Sequence, residues 1–208
     1  MNLFKRLIPT YLLDLRFKLR SKFHRSSFTG KSPKVVFTEI YHENYWGAES
    51  VSGQGSSKDL TRNSIKIIND IIKDFKVKSV LDLPCGDFNW MHHTDLNNVQ
   101  YIGADIVKEI IDRNKMAYIK PNYEFKHLDI LTDSLPKTDL IIVRDCLVHF
   151  SYNNIHKALK NIKNSGCKYL LITTFSDLNI NYDIITGEWR PINLLKKPFS
   201  FPKPILCM

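Results

Sequence analysis

The feature that most restricts what this chain can fold into is a repeated change of hydrophobic period between residues 60 and 175. Short apolar runs at Ser79–Leu83, Val99–Ala104, Tyr123–Leu128, Asp139–Val143 and Lys168–Phe175 alternate with helix-length segments. A run of four to eight mostly apolar residues suits a strand covered on both faces, and helices spaced between such runs supply the covers. The pattern predicts an α/β chain whose mostly parallel sheet is doubly wound. Helices are expected from an N-cap at Ser57–Asp59 through Leu60, Ile65, Ile68, Ile71 and Ile72, around Lys108–Met116, and from Asn153 to Asn164. At 208 residues the chain can bury one substantial core.

Charge is unevenly placed. The formal net charge is +9, but residues 1–25 hold seven Lys or Arg against the single acid Asp14, leaving only +3 for the rest. In that opening stretch Phe4, Ile8, Tyr11, Leu12, Leu15 and Leu19 recur at three- and four-residue intervals, which predicts a basic amphipathic helix. Two uses stay open for it: packing on the domain, or resting on an anionic membrane or a glycan-assembly protein. Residues 26–34 read as a linker, so the expected division is 1–34 for helix and linker and 35–208 for the main domain. The modest charge of that domain argues against nucleic acid as a partner. No apolar run reaches the ~20 residues of a bilayer span. The scattered Cys85, Cys146, Cys167 and Cys207 lack CxxC pairing, so neither a zinc cage nor a disulfide framework is indicated and no metal is expected. Reduced thiols point to the cytoplasm, with attachment at the inner membrane face as the variant the basic helix would allow.

Ligands of doubly wound sheets bind beyond the carboxyl ends of the strands. Here those ends carry chemistry. The first expected strand runs into "VLDLPCGDF" with Asp82, a tight turn through Gly86, and Asp87; the second, "YIGADI", ends on Asp105; the third, "HLDI", reaches Asp129; the fourth, "DLIIV", is followed by Arg144, Asp145 and His149. Neither GxGxxG nor GxxxxGK[ST] is present, which disfavours a dinucleotide fold or a P-loop; a nicotinamide oxidoreductase is the weakest of the enzyme readings.

These motifs resemble those of the class I S-adenosylmethionine-dependent methyltransferases. Asp82 and Gly86 match the first motif of that family, while Pro84 and Phe88 replace its outer glycines. The resemblance implies a Rossmann-like sheet and S-adenosyl-L-methionine as cofactor. It implies that Asp82, Pro84, Cys85, Gly86, Asp87, Asn89, Trp90, Asp105, Ile106, Asp129, Ile130 and Arg144 hold it, with Asp105 on the ribose and Asp129 on the adenine amine. A narrower likeness, carried by "WGAESVSGQGSS", "RDCLVHFS" and "GEWRPINLLKKPFSFPKP", is to a bacterial methyltransferase group associated with surface-polysaccharide and glycan assembly. In that group's pattern the Trp46–Ser57 loop covers the cofactor. More broadly, the Phe37–Thr61 stretch, aromatic then rich in Gly and Ser, reads as a lid rather than a core element.

Two acceptor chemistries follow. A sugar hydroxyl needs a base, and His149, four residues after Asp145, is the first candidate, with Asp145 orienting it and Arg144 beside them. His92, His93 and His42 are lesser ones. A phosphate or phosphoramidate acceptor would need cations such as Arg144 or Arg190 in place of a base. The "RDCL" after the fourth strand departs from the [DN]PP[YFW] of adenine amine methylation. Sheets of the resembling family close with a further helix and an antiparallel pair; only 33 residues follow Phe175, and Pro198, Pro202 and Pro204 crowd the last of them. A C-terminal edge lacking strands, and with it a non-catalytic cofactor- or partner-binding remnant, is therefore also expected as an alternative.

Overall fold

The computed structural model describes residues 27–46, 50 and 52–206. The amino-terminal basic segment, residues 1–25, lies outside these. Among the described residues five strands, β1 (Ser79–Asp82), β2 (Gln100–Asp105), β3 (Tyr123–His127), β4 (Leu140–Val143) and β5 (Tyr169–Ile172), form one sheet in the order β3-β2-β1-β4-β5. All four pairings are parallel. The order reverses between β1 and β4, and that is where a doubly wound sheet leaves a crevice at its carboxyl edge.

Among the described residues the sheet is flanked by the helices α1 (Pro33–His42), α2 (Lys58–Asp74), α3 (Lys108–Ala117) and α4 (Tyr152–Asn164). The last three fall within a residue or two of the sequence expectation because each has an apolar stripe to bury. Ile68 and Ile71 of α2, Ile110 and Ile111 of α3, and Ile155, Ala158 and Ile162 of α4 are all buried. The sheet separates two apolar cores. One gathers Leu81, Ile141, Val143 and Ile155, the other Ile68, Val80, Phe88, Tyr101 and Ile142. This alternation along β1 and β4 is what a strand buried on both faces requires.

Helix α1 corrects the reading of Phe37–Thr61 as lid throughout. Ser32 caps it, its Oγ accepting from the Val35 N–H at 3.4 Å, and Pro33 stands in its first turn. Val36 and Ile40 are buried. The linker expectation for 26–34 fails likewise: Phe28 is 6% exposed and packs edge-on against Tyr45, ring centres 5.8 Å apart, and the expected boundary at 34/35 falls inside α1.

Beyond β5 the described residues add no strand to the sheet; Thr186 and Glu188 form only an isolated bridge. Instead, residues 173–201 fold back over the end of β4, held by Phe175 N–H to Ile192 O at 2.8 Å and Phe201 N–H to Leu194 O at 2.9 Å. No described helix is long and apolar enough to cross a membrane.

Candidate active site

The site begins at the turn after β1. Gly86 has φ +56°, a left-handed conformation open to glycine, and a Cβ there would lie 2.0 Å from Ser52 Oγ. The turn is fastened from three sides. Cys85 N–H reaches Ala104 O at 2.8 Å, Gly86 N–H reaches an Asp105 oxygen at 3.2 Å, and the buried Asn114 of α3 donates to Gly86 O at 2.7 Å. Phe88, in the position of a motif glycine, also has positive φ (+58°), and its ring is wholly buried among Tyr101, Tyr118, Tyr123 and Phe125. Aromatic packing holds Phe88 in this left-handed conformation.

A cavity of about 370 Å³ opens at the carboxyl ends of β1, β2 and β4, within the size range of small-molecule sites. Of the residues expected from sequence, Pro84, Cys85, Gly86, Trp90, Asp105, Ile106, Asp129, Ile130, Arg144, Asp145 and His149 line it. Asp105 is 5% exposed, and its other oxygen accepts from Val107 N–H at 2.9 Å. Burial pushes its pKa up to about 6, against the pull of N–H groups from Val107, Gly86 and Ile106. Asp129 is half-buried and accepts from Leu131 N–H at 2.8 Å.

Asp82, Asp87 and Asn89 are not in the wall. Asp82 is 2% exposed and accepts from Tyr101 O–H at 2.8 Å, so its place is structural. Burial lifts its pKa to about 7, opposed by the Tyr101 hydrogen bond and Arg144. A carboxyl raised in the fold above its unfolded value stabilises most fully below that unfolded value, and loses the advantage as pH rises through 7. At about 1.4 kcal/mol per unit the swing is on the order of 4 kcal/mol. Asp82→Asn is therefore expected to gain Tm relative to the unsubstituted chain as pH goes from 5 to 8, by about 2–4 °C per kcal/mol. Thermal melts across that range check it; parallel curves would count against it.

Asp87 fastens the lid instead. Its carboxylate accepts from Ser50 Oγ at 2.8 Å and Ser52 Oγ at 3.4 Å, and its N–H donates to Ser52 Oγ at 3.2 Å. Asn89 donates its own N–H to Asp87 at 3.3 Å. Across the cavity Arg144 donates to Gly55 O at 2.7 Å, pairs with Asp145 at 3.2 Å, and lies 5.0 Å over the Trp90 ring. The described part of the Trp46–Ser57 loop is thus tied down at both ends of the crevice.

His149 sits in a short 3₁₀ turn, Leu147–His149, its ring 5.0 Å from that of Trp46. The expected orientation by Asp145 is corrected: the Nδ1 partner is Glu188 O at 3.0 Å, while Asp145 pairs with Arg144. A carbonyl only accepts, so Nδ1 carries the proton and Nε2 of the neutral ring is left as an acceptor. Burial pulls the His149 pKa down to about 4, with Glu188 O and Asp145 opposing. Arg190, expected as an anion holder, is 0% exposed and donates to backbone carbonyls. His92 bonds Phe88 O at 3.0 Å and lies tilted against His93, ring centres 3.8 Å apart, and neither lines the cavity. His42 pairs with Glu109 at 3.4 Å. Sequence reasoning missed Asn114 as a brace of the turn, and Phe37, Tyr41 and Trp189 as wall residues.

No protein-family profile matches the chain, and no curated protein matches it in sequence. Solved structures match it in fold. The N-methyltransferase NodS from Bradyrhizobium japonicum, in complex with S-adenosyl-L-homocysteine, superposes with a TM-score of 0.51 at 14% identity, over 62% of this chain and 67% of that one. Human N-acetylserotonin methyltransferase, in complex with S-adenosylmethionine, does so with a TM-score of 0.50 at 16% identity, over 83% of this chain and 50% of that one. The methyltransferase domain of bacterial CtHen1 is covered over 64% of its length, at 16% identity and a TM-score of 0.48. The chain thus spans 50% to 67% of the length of these three structures. Its parallel sheet, in the order β3-β2-β1-β4-β5, has the Rossmann-like fold of the S-adenosylmethionine-dependent methyltransferases.

Proposed function

We propose that the chain is an S-adenosylmethionine-dependent methyltransferase acting on an uncharged hydroxyl of a glycan or glycan precursor. One observation carries the reading. A single lidded cavity joins the glycine turn of β1 and the acids Asp105 and Asp129 to a histidine whose Nε2 is free to accept. The donor set fits a cationic nucleoside. Asp105, Asp129 and Asp145 outnumber Arg144 in the wall, and Ile106, Leu128 and Ile130 offer apolar surface to a base. Gly86 keeps the floor free of side chain. When bound, the cofactor supplies an electrophilic methyl on a positively charged sulfur. Asp105 is suited to accept from ribose hydroxyls, the lid to exclude water, and His149 Nε2 to accept the acceptor's proton.

The anionic-acceptor alternative finds less support. Arg190 is spent on backbone carbonyls, and Arg144 is already neutralised by Asp145. The two other carboxylates of the same wall, Asp105 and Asp129, would repel a phosphate. The glycan assignment rests on the sequence likeness to the polysaccharide-associated group. Isothermal titration with S-adenosylmethionine, paired with methyl transfer to neutral glycans and their phosphorylated counterparts, tests the whole. Binding and transfer to the neutral series are expected. Absence of binding overturns the reading, and binding without any transfer favours the non-catalytic remnant.

The acid at the end of β2 gives this binding a pH signature. Because Asp105 ionises near 6, affinity for the cofactor is expected to be flat above pH 7 and to fall about tenfold per unit below 6. Asp105→Asn should remove that limb and lower affinity at pH 7.5 by about 10- to 100-fold, the worth of charge-assisted hydrogen bonds. Titrations at several pH values decide; an unchanged slope in Asp105→Asn would assign the limb elsewhere.

A further inference from the structure

The segment Thr186–Arg190 runs beneath the turn that carries His149 and engages every carbonyl in it. Arg190 donates from Nη1 to Leu147 O at 3.0 Å and Val148 O at 3.1 Å, and from Nη2 to Phe150 O at 2.7 Å. Its backbone N–H also meets Val148 O at 3.0 Å. Gly187 N–H takes the remaining carbonyl, His149 O, at 2.8 Å. In return Glu188 O accepts from His149 Nδ1 at 3.0 Å. The strap is pressed close: a Cβ on Gly187, whose φ is +105°, would lie 2.5 Å from Val36 of α1. Its start is fixed by Thr186 Oγ1, which accepts from Ser151 N–H at 3.0 Å and Asn154 Nδ2 at 2.8 Å.

We propose that Arg190 is a positioning residue which, through this strap, holds His149 as the Nδ1–H tautomer with Nε2 directed to the acceptor. Only a guanidinium has several donors in one rigid fork, able to span the carbonyls of successive residues. It is fully buried, yet its recorded side-chain hydrogen bonds, the fourth going to Tyr182 O at 3.0 Å, all end on carbonyls and none on a carboxylate. A buried charge costs stability unless its donors are used, and here the donors are used on the turn that carries His149. The positive charge also disfavours a second one on the imidazole, working against the stronger opposite influence of Asp145. A packing residue alone would need neither property. The catalytic use of this arrangement rests on the methyl-transfer reading; the tautomer itself does not.

The full-length chain, labelled with ¹⁵N, allows the imidazole tautomers to be read from long-range proton–nitrogen correlations, with His149→Gln assigning the resonance. His149 is expected as Nδ1–H at pH 7. Arg190→Lys retains the charge but reaches fewer carbonyls, and is expected to give mixed tautomers, an imidazole titration moved up toward 6.5, and at least a tenfold loss of kcat with cofactor affinity unchanged. An Nε2–H ring in the unsubstituted chain overturns the proposal. So does a folded Arg190→Lys whose Tm falls while tautomer and titration stay put. Should Arg190→Lys not fold, Thr186→Val loosens the strap at its other end; a mixed tautomer there supports the proposal and an unchanged one overturns it. Loss of cofactor binding with the Nδ1–H ring intact would instead sink the methyltransferase reading alone.

Discussion

Gly86→Ala is expected to lower affinity for S-adenosylmethionine about a hundredfold while the chain still folds. Two effects combine. The left-handed φ of +56° costs a residue with a Cβ about 1–2 kcal/mol, which at 2–4 °C per kcal/mol lowers Tm only modestly. The larger consequence is local, since the new Cβ would stand 2.0 Å from Ser52 Oγ. Ser52 must withdraw, and with it go two of the three bonds that fasten the lid to Asp87, its N–H and carboxylate contacts, leaving only the one from Ser50. A hundredfold loss corresponds to about 2.7 kcal/mol of binding. Calorimetric titration beside a thermal melt separates the two; affinity within a factor of three would mean that the lid closes without this contact.

His149→Gln carries the second large effect. Proton acceptance by a positioned side chain is worth about 10²–10⁴ in rate, and the lower end is expected here. A pKa of about 4 lies well below the working range, so the ring is a weak base. The same depression keeps the ring neutral throughout that range. The kcat of the unsubstituted chain at saturating cofactor should therefore show no inflection from this group between pH 5.5 and 8, falling only as pH approaches 4. The limb near pH 6 belongs to Asp105 and should appear in cofactor binding, hence in kcat/KM for the cofactor. A kcat limb near 6.5 that vanishes in His149→Gln would contradict the burial ascribed to the ring. Equal kcat in both chains would remove His149 from the chemistry.

The sheet and the wall were largely legible because period and strand-end chemistry are local properties. Apolar runs of strand length located all five strands to within a few residues, and acids at their ends located Asp105 and Asp129. Burial direction was less legible. Asp82 occupies the motif position, yet its carboxylate is taken by Tyr101 of the neighbouring strand, a partnership only register reveals. Helix α1 did leave a signal, Ser32 followed by Pro33, an N-cap and a favoured first-turn residue; the turn-forming residues around it obscured it. Asn114, on the same face of α3 as Ile110 and Ile111, was likewise visible as a polar break in an apolar stripe. The strap had no such signal. It lacks regular secondary structure, so no period marks it, and a wholly buried arginine in an irregular segment looks in sequence like a surface charge. Its partners are carbonyls about 40 residues earlier, and backbone atoms leave no trace in the letters of a chain.

Phe88 shows how shape and spelling can part company. A bend that a glycine adopts freely is enforced here by a ring wedged among tyrosines and another phenylalanine, so the same trajectory is reached through cohesion instead of permissiveness. Residue-by-residue comparison scores such an exchange as a mismatch, although Phe88 holds a left-handed φ of +58° that a glycine would also adopt. Proteins that made the same exchange would be better sought by the torsion angles of this bend than by its glycines.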